Sequence, residues 1–137
     1  MIDEDFPMPD AIVCSNSPAL PTPAGHYSHV CVAGNLLMIS GQLPVTSEGQ
    51  TLEGESFEVQ VRQVLANLDA CLAEGGADKS RLVQVRVHVT DMQHWPLFNA
   101  LYAQWLGDHR PARAVAGVAQ LHYGLAVEVE AMALLPG

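Results

Sequence analysis

Two adjoining stretches decide the fold: Phe57-Glu-Val-Gln-Val-Arg-Gln-Val-Leu-Ala-Asn-Leu-Asp-Ala-Cys-Leu72 and, past Gly75-Gly76, Leu82-Val-Gln-Val-Arg-Val-His-Val89. In the first, Phe57, Val61, Val64, Leu65, Leu68 and Leu72 recur at helical spacing, and the glycine pair stops the helix. The second changes period. Val83, Val85, Val87 and Val89 alternate with Gln84, Arg86 and His88, which predicts a half-buried strand with the valines on one face.

Downstream the pattern repeats. Pro96 suits a first helical turn, Phe98, Leu101, Tyr102, Trp105 and Leu106 form the stripe, and Gly107-Asp108 ends it. Two strands are predicted after that, Arg113 to Leu121 and Leu125 to Leu134, joined as a hairpin near Tyr123-Gly124. Upstream, Tyr27 to Ala33 and Leu36 to Gly41 flank Gly34-Asn35, a two-residue hairpin signal. Pro18, Pro21 and Pro23 make Ser15 to Gly25 an irregular loop, and Thr46 to Gly54 is a second loop. An extra strand is placed near Ile12, and residues 1–9 read as a short leader. The order ββαβαββ specifies a single α+β domain over residues 1–137, with a mixed, mostly antiparallel sheet and two helices on one face. The other face lacks a helix; where apolar, its natural cover is another subunit.

Composition narrows the function. The 137 residues are 49% apolar and 15% charged, enough for a real core. Fifteen acidic against six basic residues give a net charge of −9, which argues against nucleic-acid binding and against anionic membranes. No stretch is long and apolar enough to span a bilayer, and acids stand where an export signal would carry basic residues. Cys14, Cys31 and Cys71 are odd in number and widely spaced, which fits a reducing compartment; a cytoplasmic location is expected.

Four groups of residues have chemical potential. Arg113 starts a strand among small apolar neighbours, and its planar fork suits a carboxylate; an internal ion pair is the competing and commoner use. Glu130 shares one strand face with Glu128 and Met132, a setting for general acid–base work, for a solvated sheet face or for a cross-strand pair with Arg113. Ser40-Gly41-Gln42 ends a strand where glycine permits close approach of a ligand; lacking an elbow motif, Ser40 is a hydrogen-bonder at most. The six histidines show no metal-ligand spacing, His88 reads as a surface residue, and no metal site is expected.

Six segments taken together resemble the RidA (YjgF-type) enamine/imine deaminases over nearly the whole chain. They are Gly25-His-Tyr-Ser-His, Ile39-Ser-Gly-Gln-Leu-Pro, Gln63-Val-Leu-Ala-Asn-Leu, Phe98-Asn-Ala-Leu-Tyr, Pro111-Ala-Arg-Ala-Val and Val127-Glu-Val-Glu-Ala. The resemblance implies a chorismate-mutase-like α+β fold and a homotrimer with a central barrel and ligand clefts between subunits. It implies hydrolysis of reactive intermediates such as 2-aminoacrylate to 2-keto acids and ammonia, without a cofactor. Residue by residue, it makes Arg113 the carboxylate clamp and Glu130 the water-activating base. It places Tyr27, Ser40, Gly41, Asn99 and the Val115 backbone around the substrate. Two departures stand out: Val115 replaces a cysteine common in the family, and Leu121-His122-Tyr123-Gly124 differs from the turn of the best-known members. Competing expectations are a non-catalytic binder of small carboxylates, a pathway-specific deaminase of a larger enamine, and a ribonuclease, which the acidic charge disfavours.

Overall fold

The structure, a computed structural model, describes residues 11–137; the leader expected over residues 1–9 lies outside the described residues. Six strands form one sheet: β1 (Ile12–Ser15), β2 (Val30–Ala33), β3 (Leu36–Gln42), β4 (Leu82–Val89), β5 (Ala112–Gly117) and β6 (Val127–Leu134). The helices are α1 (Phe57–Glu74) and α2 (Trp95–Leu106). The strand order is β1-β2-β3-β6-β4-β5, with only β4 and β5 parallel. The α+β class, the strand near Ile12 and the two-residue loop at Gly34-Asn35 agree with the sequence; Gly34 takes the positive φ of 62° the loop needs.

Connectivity explains why both helices share one face. The chain passes from β3 through α1 to β4, then through α2 to β5, stepping each time toward the same edge. Right-handed crossovers taken in one direction lay their helices on the same side. β6 then slots between β3 and β4. Val85, Val87, Val127, Val129 and Ala131 point into the core with Val61, Val64, Leu68, Leu72 and Phe98 from the helices. No helix among the described residues is long and apolar enough to cross a membrane.

Ser56 caps α1 by accepting a hydrogen bond from the Val59 amide, and Gly75 ends it. Gly75 serves packing. A Cβ there would lie 2.5 Å from Leu37 Cδ2, and Leu37 is fully buried. Gly75→Ala is therefore expected to destabilise the fold by about 1–3 kcal/mol, read as a lower urea midpoint with an unchanged slope.

Four expectations need correction. β5 and β6 are not a hairpin: β5 follows a helical crossover, pairs parallel with β4, and is separated from β6 by that strand. Their bounds also shrink, to Ala112–Gly117 and Val127–Leu134, because the turn around Tyr123 takes the residues between. On β4, Val83 is exposed and Leu82 is buried instead; a register irregularity between Leu82 and Gln84 reverses the first step of the alternation. Likewise β2 begins at Val30, since Tyr27 and Ser28 belong to the loop.

Candidate active site

A β-bulge organises the site. On β3, Ile39 pairs with Ala131 and Gln42 with Val129, so Ser40 and Gly41 together oppose the single residue Glu130. Such a two-against-one mismatch bends the strand and re-aims its neighbours. It brings Ser40, Gly41 and Glu130 to one cleft of about 750 Å³, whose opposite wall is the proline-rich segment ending in Tyr27. Tyr27 is 51% exposed, so its ring is free to meet a ligand.

The wall is tied down by hydrogen bonds that the sequence did not foretell. Ser40 Oγ donates to the Ser28 carbonyl at 2.7 Å, and Ser40 N donates to the His29 carbonyl at 3.0 Å. His29 is buried; its Nδ1 accepts from Ser17 N at 3.0 Å, while its own amide donates to Asn16 Oδ1 at 2.9 Å. Asn67, on the buried face of α1, donates to the carbonyls of Leu43 and Val45 at 3.1 and 3.0 Å and fixes the cleft's third wall. The signal that could have revealed Asn67 was a polar side chain next to an apolar stripe.

Glu128 also reaches this cleft, which the sequence reading left without a role. Its carboxylate lies against Gly41: a Cβ there would be 2.9 Å from both Cδ and Oε2. Since that carboxylate ends a flexible side chain, Gly41→Ala is expected to change the melting temperature little while pushing Glu128 into the open space of the cleft, read as weaker binding of a small carboxylate such as 2-ketobutyrate. No lysine or arginine lines the cleft among the described residues. Tyr123 forms part of the rim with a left-handed φ of 62°, a conformation uncommon for a bulky residue, and His122 stands beside it. His88 is half-buried instead of a free surface residue: it lies opposite Glu128 in the β4–β6 register, with Nδ1 shielded from solvent.

Arg113 lies elsewhere. It pairs in register with Val85, and Val115 pairs with Val87, so both side chains are on the helix-covered face of edge strand β5. The guanidinium stacks over Trp95 at 4.6 Å and Tyr102 at 5.0 Å, and its Nη1 donates to Asn99 Oδ1 at 3.0 Å. It forms no ion pair among the described residues. Stacking and one amide leave most of its donors available. Burial pushes the Tyr102 phenol up to about 12, with Arg113 pulling the other way, so the ring stays neutral beneath the guanidinium. The cross-strand Arg113–Glu130 pair considered from sequence is absent; the partner of Glu130 across β4 is Arg86.

The candidate residues of one chain thus fall into two separate groups. Tyr27, Ser40, Gly41 and Glu130 are gathered on the open side of the sheet, and Arg113 with Asn99 stands on the helix side at the β5 edge. Among the described residues no group of three or more His, Cys, Asp or Glu is gathered as metal ligands would be.

The family model for endoribonuclease L-PSP matches residues 17–135. The chain belongs to the YjgF/RidA family. Among relatives, a RutC family protein of Pyrococcus horikoshii is 35% identical over 127 residues, covering 92% of this chain and 98% of its own. RidA from an Antarctic Psychrobacter superposes with a TM-score of 0.82 at 31% identity, over 86% of this chain and 95% of that one. E. coli TdcF with bound serine superposes with a TM-score of 0.84 at 25% identity, over 90% and 99% of the two chains. The six YjgF/RidA-like segments fall on the bulge, the cleft wall, both helices, β5 and β6.

Proposed function

We propose that the protein is an enamine/imine deaminase that hydrolyses 2-aminoacrylate-like intermediates to 2-keto acids and ammonia, at sites shared between subunits of a cytoplasmic homotrimer. The observation that carries this reading is the separation of the half-sites. An arginine with unused donors and a carboxylate-bearing cleft sit on opposite faces of one sheet, so only a second copy can put them together. The open sheet face offers Met38, Met132 and Gln84 beside Glu130 as its surface for that copy. The amino acid bound to the related TdcF supports a small carboxylate as the ligand class.

In this reading Arg113 grips the substrate carboxylate with its free guanidinium edge, while Asn99 and the two rings hold it in plane. Gly41 and the Val115 backbone approach the imine carbon closely. Glu130 of the neighbouring chain takes a proton from water as the water oxygen attacks the C=N carbon. It returns that proton to nitrogen, giving the carbinolamine. The carbinolamine hydroxyl then gives up its own proton, which Glu130 passes to nitrogen as the C=O bond forms, the C–N bond breaks and ammonia leaves. Holding the substrate in place contributes the orientation part of the rate enhancement. Neither the acidic cleft nor the net charge of −9 favours an RNA substrate.

The test is hydrolysis of freshly generated 2-aminoacrylate by the purified protein, followed as pyruvate and ammonia, with the assembly mass measured in parallel. Acceleration by a species of three chains is expected. A folded trimer that binds 2-ketobutyrate without accelerating hydrolysis would favour the carboxylate-binding alternative, and a stable monomer would dismantle the shared site.

A further inference from the structure

The sheet register places a second pair of reactive groups far from any role given above. Cys14 of β1 lies directly opposite Cys31 of β2 in the antiparallel pairing, and their sulfurs are 3.2 Å apart. Directly opposed residues on antiparallel strands have Cβ atoms about 4.5 Å apart at the nearest, the upper end of what a disulfide spans, so a small closing of the two strands suffices to bond sulfurs already in contact. Cys14 is exposed and Cys31 half-buried, so a small reagent reaches the pair from solvent. The third cysteine does not compete: Cys71 is buried on the core face of α1, and burial pushes its thiol up to about 12.

We propose that Cys14 and Cys31 form a reversible disulfide by exchange with low-molecular-weight disulfides such as oxidised glutathione. The more exposed Cys14 thiolate attacks one sulfur of the small disulfide, forming a mixed disulfide and expelling one thiolate. The Cys31 thiolate then attacks the Cys14 sulfur, forming the Cys14–Cys31 bond and expelling the second thiolate. The two protons lost by the cysteines end on the two small thiols. The protein loses two electrons and the small disulfide gains them. In a reducing cytoplasm the pair stays open, and an oxidising excursion closes it.

The position of the pair gives closure a structural effect. The chain between the two cysteines contains Leu20 to Tyr27 and His29, one wall of the cleft. Asn16 and Ser17, which clamp His29, follow Cys14 by two and three residues. A bond between Cys14 and Cys31 ties that wall at its base and shortens the loop available to it in the unfolded chain. It also fixes β1, a four-residue strand whose one partner among the described strands is β2.

The test uses the intact protein in its native assembly. It is incubated with oxidised glutathione, quenched in acid, and its free thiols are counted. The expected count falls from the three free cysteines per chain to one, with the mass of the chain lower by two hydrogens and no glutathione retained. Cleavage after Tyr27 then leaves the Cys14 and Cys31 fragments joined until dithiothreitol is added. Cys31→Ser should instead trap one glutathione on Cys14. Hydrogen exchange over residues 20–29 should slow in the oxidised form. A stable mixed disulfide in the unaltered chain, bonds only between chains, a bond involving Cys71, or three thiols still free would each overturn the proposal.

Discussion

Replacing Arg113 with alanine is expected to lower kcat/KM for 2-aminoacrylate by about 10²–10³-fold, as the loss of a two-pronged charged hydrogen bond predicts. The fold should survive. Arg113 stands on an edge strand, its side chain donates to Asn99 Oδ1, and it packs across the faces of Trp95 and Tyr102. Arg113→Lys separates geometry from charge: it keeps the cation but loses the fork, so activity should remain well below that of the unaltered enzyme. Equal activity in the lysine variant would mean that a point charge suffices and that the stacked, planar arrangement has no part in binding. Steady-state kinetics on freshly generated imine, with melting curves as the control for folding, decide it.

Glu130→Gln is the second large effect. Removing the base while keeping the shape of the side chain should reduce kcat by about 10²–10⁴-fold and leave 2-ketobutyrate binding nearly intact. Because the two half-sites face opposite sides of one sheet, the two inactive variants should also rescue each other. Subunits of Arg113→Ala and Glu130→Gln, unfolded together and reassembled, place an intact arginine beside an intact glutamate in about a quarter of the sites of a random cyclic trimer. Recovery near that fraction of activity is the expected result. No recovery, with mixed trimers verified by native mass spectrometry, would show that both groups of a working site come from one chain.

The sequence was most legible where period alone decides. The α1 stripe from Phe57 to Leu72, the stop at Gly75, the proline opening α2 and the Gly34-Asn35 loop all appear where their residue types require. It was least legible where register decides. Nothing in Ser40-Gly41 announces a bulge, yet the bulge sets both residues against Glu130. The parallel placement of β5 depends on the path of α2 over the sheet, a non-local fact, so the expected hairpin and its Arg113–Glu130 pair failed together. Arg113, Glu130 and Ser40-Gly41-Gln42 stood out from the local pattern, but bland uses of the arginine and the glutamate were the commoner ones there. Their roles, and the choice of Tyr27, Asn99 and Val115, came only with the resemblance to a family. That these fall into two halves on opposite sides of the sheet needed three dimensions.

β6 has a consequence for the order in which the molecule can be made. It follows every other strand in the chain, yet it lies between β3 and β4. Until it is synthesised, the two strands that will flank it each show a bare edge, and α1 bridges a gap in place of a sheet. Unpaired edges of that kind recruit other chains. A ribosome stalled upstream of Val127 therefore releases a polypeptide with two adhesive edges and no Glu130, whereas a chain that has added β6 gains its central strand and its glutamate in one stroke. Quality control of the nascent protein needs no separate check on that residue: a product able to close its sheet already carries it.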